Sequence, residues 1–430
     1  MKYSILMLVA CLAIIGCSKK DPEPRISEKG ALVIVGGALS TSNAAVYQRF
    51  IELAGGPIQA RIAVIPAASG QPVHYFEQFR DDMLHYGLTK DQVTLLPIAV
   101  MDDRSTADVD ESSWAQGGHD KQLAKSLEQY TAVWFLGGDQ TRITKTLLPD
   151  NKATPVLTAV RDLYQRGGVV AGTSAGAAMM SDVMIAGGDS WHALMQPPAE
   201  RYEGMQDQEA GPLILRTGLG FFKDGIIDQH FDRKSRFGRL LVAVQQNRAL
   251  YPVGYGVDED AALIYYPQRR EIEALGYGGV TIIDVREARK INNPHGYHME
   301  DVRISFIQGG DRYHVGEHRF IPHPAKSATI GREYLDLAEP VVVSGVFSRN
   351  SRLKDLIGFD LVDNKGASEV VSYLHQGEGL GFTLRFRQDD KTQGYWQYLD
   401  GMKDNSSAAF VLLDVVPSRF SITELSPGSP

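Results

Sequence analysis

The 430-residue chain has only two cysteines, Cys11 and Cys17, both near its N-terminus. That excludes a disulfide framework of the kind that staples small extracellular domains. Long apolar runs are equally scarce. The run at 5–15 falls short of the ~20 residues that a helix needs to span a bilayer. Basic charge is in deficit, with 44 Lys and Arg against 52 Asp and Glu and a formal net charge of −8. A general nucleic-acid binder normally carries a basic surface, so no nucleic-acid partner is expected. His295, His298, His314, His318 and His323 cluster in sequence, and His314 and His318 stand four apart. No carboxylate-histidine zinc helix accompanies them, and neither a metal nor another cofactor is expected. What is abundant is apolar residue, 43% of the chain, enough for one large core and a second small one.

Within that core the most informative segment is Gly168-Val169-Val170-Ala171-Gly172-Thr173-Ser174-Ala175-Gly176-Ala177. It reads as a buried strand that turns sharply into a helix with Ser174 at the apex. Such a turn strains the backbone and exposes the hydroxyl, and it needs small neighbours to let the strand reverse. The helix starting near Ala175 directs free backbone N–H groups beside Ser174, where an oxyanion would develop. Taken alone, Gly-Thr-Ser-Ala-Gly suits a phosphate-binding turn equally well.

A nucleophilic serine needs a base, and the base needs an orienting acid. Ile226-Ile227-Asp228-Gln229-His230-Phe231 is a short apolar strand that delivers His230 at its C-terminal end. Gly254-Tyr255-Gly256-Val257-Asp258-Glu259-Asp260 leads into another apolar run, and either Glu259 or Asp258 is placed to hold His230 in the right tautomer. Arg233, Arg236 and Arg239 then fall three apart, along one side of a helix whose buried face begins at Leu240 and Leu241. Guanidinium forks suit carboxylates.

The order Ser, His, Glu, together with Gly137-Gly138-Asp139-Gln140 after the apolar run 132–136, resembles the cyanophycinase family of serine peptidases, relatives of aspartyl dipeptidases. The resemblance extends over roughly residues 30–320. It implies a triad of Ser174, His230 and Glu259, and an oxyanion hole from the N–H groups of Gly138 and Ala175. It also implies substrate contacts from Gln140, Asp228, Gln229, Arg236 and Arg239, and a homodimer as relatives commonly form. The implied substrate is cyanophycin, a poly-aspartate whose side-chain carboxylates carry arginine, released as β-Asp-Arg dipeptides. An aspartyl or isoaspartyl dipeptidase would use the same triad on short peptides. A third reading is a non-catalytic envelope lipoprotein that keeps the fold for binding.

At the N-terminus, Lys2 precedes the apolar run, and Ile14-Ile15-Gly16-Cys17 resembles the lipobox of bacterial lipoprotein signals. The expectation is a signal peptide at 1–16, a lipid-modified Cys17 anchored in the cell envelope, and a flexible tether at 17–29. Short buried runs at 32–37, 62–66, 93–97, 132–136 and 169–171, with a helical pattern at 43–54, then predict an α/β three-layer sandwich with a largely parallel sheet. The resemblance implies a class I glutamine amidotransferase-like architecture for this domain, at 30–325. The irregular stretch 189–219 suits a loop that shapes the substrate groove. A small β-rich C-terminal domain of open role is expected at 326–430, with strands at 341–347, 382–387 and 410–416. Its aromatic residues Tyr395, Trp396 and Tyr398 are expected in the core.

Overall fold

A computed structural model describes residues 30–338, 352–399, 403–421 and 423. Cys17, the tether and the run 341–347 lie outside these residues. The sequences ALVIV, IAVI and AVWF are apolar throughout and become the strands Ala31–Val35, Ile62–Ile65 and Ala132–Phe135, buried at every position. Strands covered on both faces take this composition. Helix Ala44–Leu53 packs Val46, Tyr47, Phe50 and Ile51 against one face of the sheet, beside Val33 and Val35. Helix Pro155–Gln165 packs Val156, Leu157, Val160 and Leu163 on the other, beside Leu32 and Ile34. Adjacent residues of one strand thus feed opposite layers, as the two-residue period of a strand requires.

Val93–Leu95, Ile62–Ile65, Ala132–Phe135, Val169–Thr173 and Ala31–Val35 are neighbours in that order and run parallel. Beyond Ala31–Val35 the sheet changes character. Ala261–Tyr266, Glu271–Gly276, Arg312–His314 and Arg319–Ile321, each paired antiparallel, extend it to nine strands among the described residues. The expected largely parallel sheet is therefore a mixed one. The reason is connection length: parallel neighbours need a crossover of a dozen or more residues, whereas the short link from Tyr266 to Glu271 permits only a hairpin.

A second mixed sheet, of ten strands among the described residues, stands beside the first. Ile226–Asp228 and Val253–Val257 are parallel neighbours at its edge, followed by Gly279–Asp284, Met299–Gln308 and Lys403–Phe420. Lys403–Phe420 also pairs with Gly379–Arg387 and Gln393–Leu399. The C-terminal strands are thus continuous with those that lead to His230 and Glu259. Of the three C-terminal aromatics, Tyr395 packs on Phe320 with ring centroids 5.5 Å apart. Trp396 and Tyr398 instead form an edge-on pair at the surface, with Tyr398 exposed and the Trp396 indole N–H donating to Asp404 at 2.8 Å. They depart from the expected core placement because strand alternation sends Tyr398 to the solvent side, and the indole N–H finds its carboxylate there.

Candidate active site

Strand Val169–Thr173 ends at Ser174, whose φ of 54° is left-handed, and helix Ala175–Ala178 starts at the next residue. Small residues make this reversal possible: a Cβ on Gly172 would lie 2.4 Å from the Gly176 carbonyl oxygen. His230 is also left-handed, with φ 44°. Such conformations cost about 1–3 kcal/mol each and persist only where the surroundings enforce them.

The enforcing element is the segment that leaves strand Ala31–Val35. The Ser174 N–H donates to the Val35 carbonyl at 3.0 Å, the His230 N–H to Gly36 at 2.7 Å, and the Asp260 N–H to Gly37 at 2.9 Å. Three consecutive carbonyls thereby align the nucleophile turn, the histidine turn and the acidic turn, which come from two different sheets. A Cβ on Gly36 would meet the Asp258 carbonyl oxygen at 2.0 Å, and one on Gly37 would meet the His230 ring at 2.3 Å. Sequence reading took Gly36-Gly37 as a strand end and missed this role. The one available signal was a glycine pair at the end of a buried strand.

Side chains complete the alignment. His230 Nδ1 lies 2.6 Å from Glu259 Oε1, and His230 Nε2 lies 2.8 Å from Ser174 Oγ. A carboxylate only accepts, so Nδ1–H donates to Glu259, Nε2 is the basic nitrogen, and the Ser174 hydroxyl donates to it. Burial lowers the His230 pKa below its ordinary value; the Glu259 hydrogen bond pulls it up, and the nearby cations Lys234 and Arg236 push it down. The net effect keeps the imidazole neutral near pH 7, the state a general base requires. The Glu259 N–H donates to Asp232 Oδ1 at 3.1 Å, a brace that the sequence reading also overlooked. Asp258, the other candidate acid, points elsewhere. It is buried, accepts from the Gly279 N–H at 3.1 Å, and is pushed up well above the carboxylate range by that burial.

The site opens into a cleft of about 660 Å³ whose walls include Ser174, His230, Gly137 and Gly138. Gly138 sits at φ 136°, and Ala175 follows the serine at the start of its helix. Gly138 thus lines the same cleft as Ser174, and Ala175 adjoins the serine in the chain.

The five residues implied as substrate contacts are placed differently. Gln140, Asp228, Gln229, Arg236 and Arg239 are all buried. Arg239 grips Asp228 with two parallel bonds, Nε–Oδ2 at 2.8 Å and Nη2–Oδ1 at 2.6 Å, and its Nη1 donates to the carbonyls of Gly188 and Gln208. Arg236 donates to the Gln229 carbonyl at 2.8 Å, and burial, together with the neighbouring Arg239 cation, lowers it to about 10. Gln140 donates to the carbonyls of Ile185 and Ala186 and accepts from Gln208. Only Gln229 reaches the nucleophile, with Oε1 3.5 Å from Ser174 Oγ. Nor do the three arginines share a helix side: the helix is Phe237–Gln246, Arg233 precedes it and is 58% exposed in its side chain, while Arg236 caps it. Asp228 explains the inward turn, because a buried carboxylate must be paired. The set clamps the segment around 188–209 against the site.

A strained serine, a neutral imidazole and a carboxylate in hydrogen-bonded relay define a serine-type hydrolase. Residues 31–272 match the model of peptidase family S51. The chain belongs to that family of serine peptidases. It is 31% identical over 301 residues to a cyanophycinase from Geminocystis herdmanii (strain PCC 6308), which covers 68% of this chain and 96% of that protein. Identity to a cyanophycinase from Nostoc sp. (strain PCC 7120 / SAG 25.82 / UTEX 2576) is 30% over 302 residues, 68% of this chain and 88% of that one. Among solved structures, a peptidase from an acI-B1 Actinobacterium aligns with 19% identity and a TM-score of 0.42, over 59% of this chain and 90% of the other.

Proposed function

We propose that this serine peptidase hydrolyses cyanophycin to β-Asp-Arg dipeptides through an acyl-enzyme. The observation that carries this is the Ser174–His230–Glu259 relay, at 2.8 and 2.6 Å, opening on a cleft in a chain related to cyanophycinases. Ser174 Oγ attacks a backbone aspartyl carbonyl as His230 Nε2 takes its proton. Glu259 supports the imidazolium, and the N–H groups of Gly138 and Ala175 receive the oxyanion. His230 then passes the proton to the leaving amine. Water, deprotonated by the same nitrogen, cleaves the ester and restores Ser174.

The parallel part of the first sheet, with its nucleophile at a strand-helix turn, supports a class I glutamine amidotransferase-like core. The lipobox at 14–17 supports attachment to the cell envelope through Cys17, which would place the enzyme beside a polymer too large to import.

The test is to incubate the chain without its leader with purified cyanophycin and analyse the soluble products by mass spectrometry. β-Asp-Arg release that disappears in Ser174→Ala supports the proposal. Intact polymer beside cleavage of short aspartyl peptides would replace it with the dipeptidase reading. Inertness toward both, with binding retained in Ser174→Ala, would favour the binding lipoprotein.

A further inference from the structure

The cleft beside Ser174 is apolar and aromatic along much of its wall, through Tyr75, Phe79 and Trp134, yet among the described residues, apart from His230, it contains one ionisable acid or base of definite charge, Asp82. Asp82 is half-buried on helix Pro72–His85, whose apolar residues Phe76, Phe79 and Met83 pack inward. Two hydroxyls hold its carboxylate: Thr41 Oγ1 donates to Oδ1 and Tyr47 Oη to Oδ2, each at 2.7 Å. Tyr47 is fixed in turn by stacking on Tyr86, with centroids 4.9 Å apart. Both Asp82 partners are neutral, and each oxygen retains a lone pair, so the carboxylate is oriented without being neutralised.

A fixed anion among aromatic rings in a partly desolvated cleft selects a cation. A planar guanidinium suits it best, because it can bond both carboxylate oxygens while lying against a ring face, which an ammonium cannot do. Tyr75, 47% exposed, offers such a face. We infer that Asp82, with Tyr47 and Thr41 behind it, is the specificity residue that receives the guanidinium of a substrate arginine; this rests on the proposed peptidase site at Ser174. The buried arginines described above cannot serve this purpose, since they have the wrong charge and are already bonded.

The experiment measures protection of Ser174 from a fluorophosphonate label by β-Asp-Arg and by β-Asp-citrulline, its uncharged near-isostere. The full chain without its leader should be protected by β-Asp-Arg at roughly tenfold lower concentration, about 1.4 kcal/mol. Asp82→Asn should bring the two ligands within about twofold, and Asp82→Glu, which keeps the charge, should retain part of the preference. Equal protection in the unsubstituted protein, or an undiminished preference in Asp82→Asn, would overturn the inference, and the first comparison decides even if the variant folds poorly. An arginine preference in a protein that leaves cyanophycin intact would support the subsite while removing the polymer as substrate. Failure of the label to react at Ser174 would overturn both.

Discussion

Gly37→Ala tests whether the backbone after the first strand sets the position of the base. The added Cβ would fall 2.3 Å from His230 Cε1 and 2.5 Å from Nε2, whereas nine in ten real Cβ contacts exceed 3.4 Å. The imidazole must therefore give way by about 1 Å, and a misplacement of that size costs on the order of 10²-fold in rate. This corresponds to about 2.7 kcal/mol of transition-state stabilisation. The backbone itself resists the change as well, because φ at Gly37 is 116°, a conformation alanine adopts only under strain of about 1–3 kcal/mol. The direct assay is the rate of Ser174 acylation by a fluorophosphonate, alongside kcat/KM on cyanophycin and a thermal melt. A folded Gly37→Ala protein with acylation within twofold of the parent would refute the reasoning, since it would mean that His230 reaches Ser174 without this contact.

Two further outcomes follow from the charges around the site. Lys234 lies among the cations that hold the His230 pKa down, and its own partner is Glu209 at 2.5 Å. Lys234→Met removes the cation and leaves Glu209 with Arg236 at 3.4 Å, so protonation of His230 becomes easier; the acid limb of the kcat/KM profile should move to higher pH, and a limb that stays or moves lower would contradict this assignment. Arg239→Met leaves the Asp228 carboxylate buried without its bidentate partner, and should cost roughly 3–5 kcal/mol in a urea unfolding titration. If stability were unchanged and only KM rose, Arg239 would be a substrate contact after all.

The nucleophile turn was legible because everything it needs is local. Strand, strained serine and small-residue helix occupy ten consecutive positions, and the steric demand on Gly172 comes from Gly176 only four residues away. Which strands would exist was legible for the same reason, since runs such as ALVIV are apolar at every position. The choice between Asp258 and Glu259 was not, because adjacent residues point to opposite sides, and only the neighbouring Gly279 N–H and the His230 ring reveal which side each carboxylate takes.

The fate of the arginines was hidden by the same kind of distance. Spacing by three marks a helix side only if a helix is present, and here it begins after Arg236. The sequence alone therefore determined the chemistry available: a serine on a strained turn, a histidine and an acid at strand ends, and a core large enough to hold them. Tertiary structure decided which groups meet, which acid serves, and which charges are enclosed. Carbonyls of residues 35–37 receive N–H groups from residues 174, 230 and 260. Hydrogen-bond partners and desolvation are properties of strands brought together in space, and no local pattern encodes them.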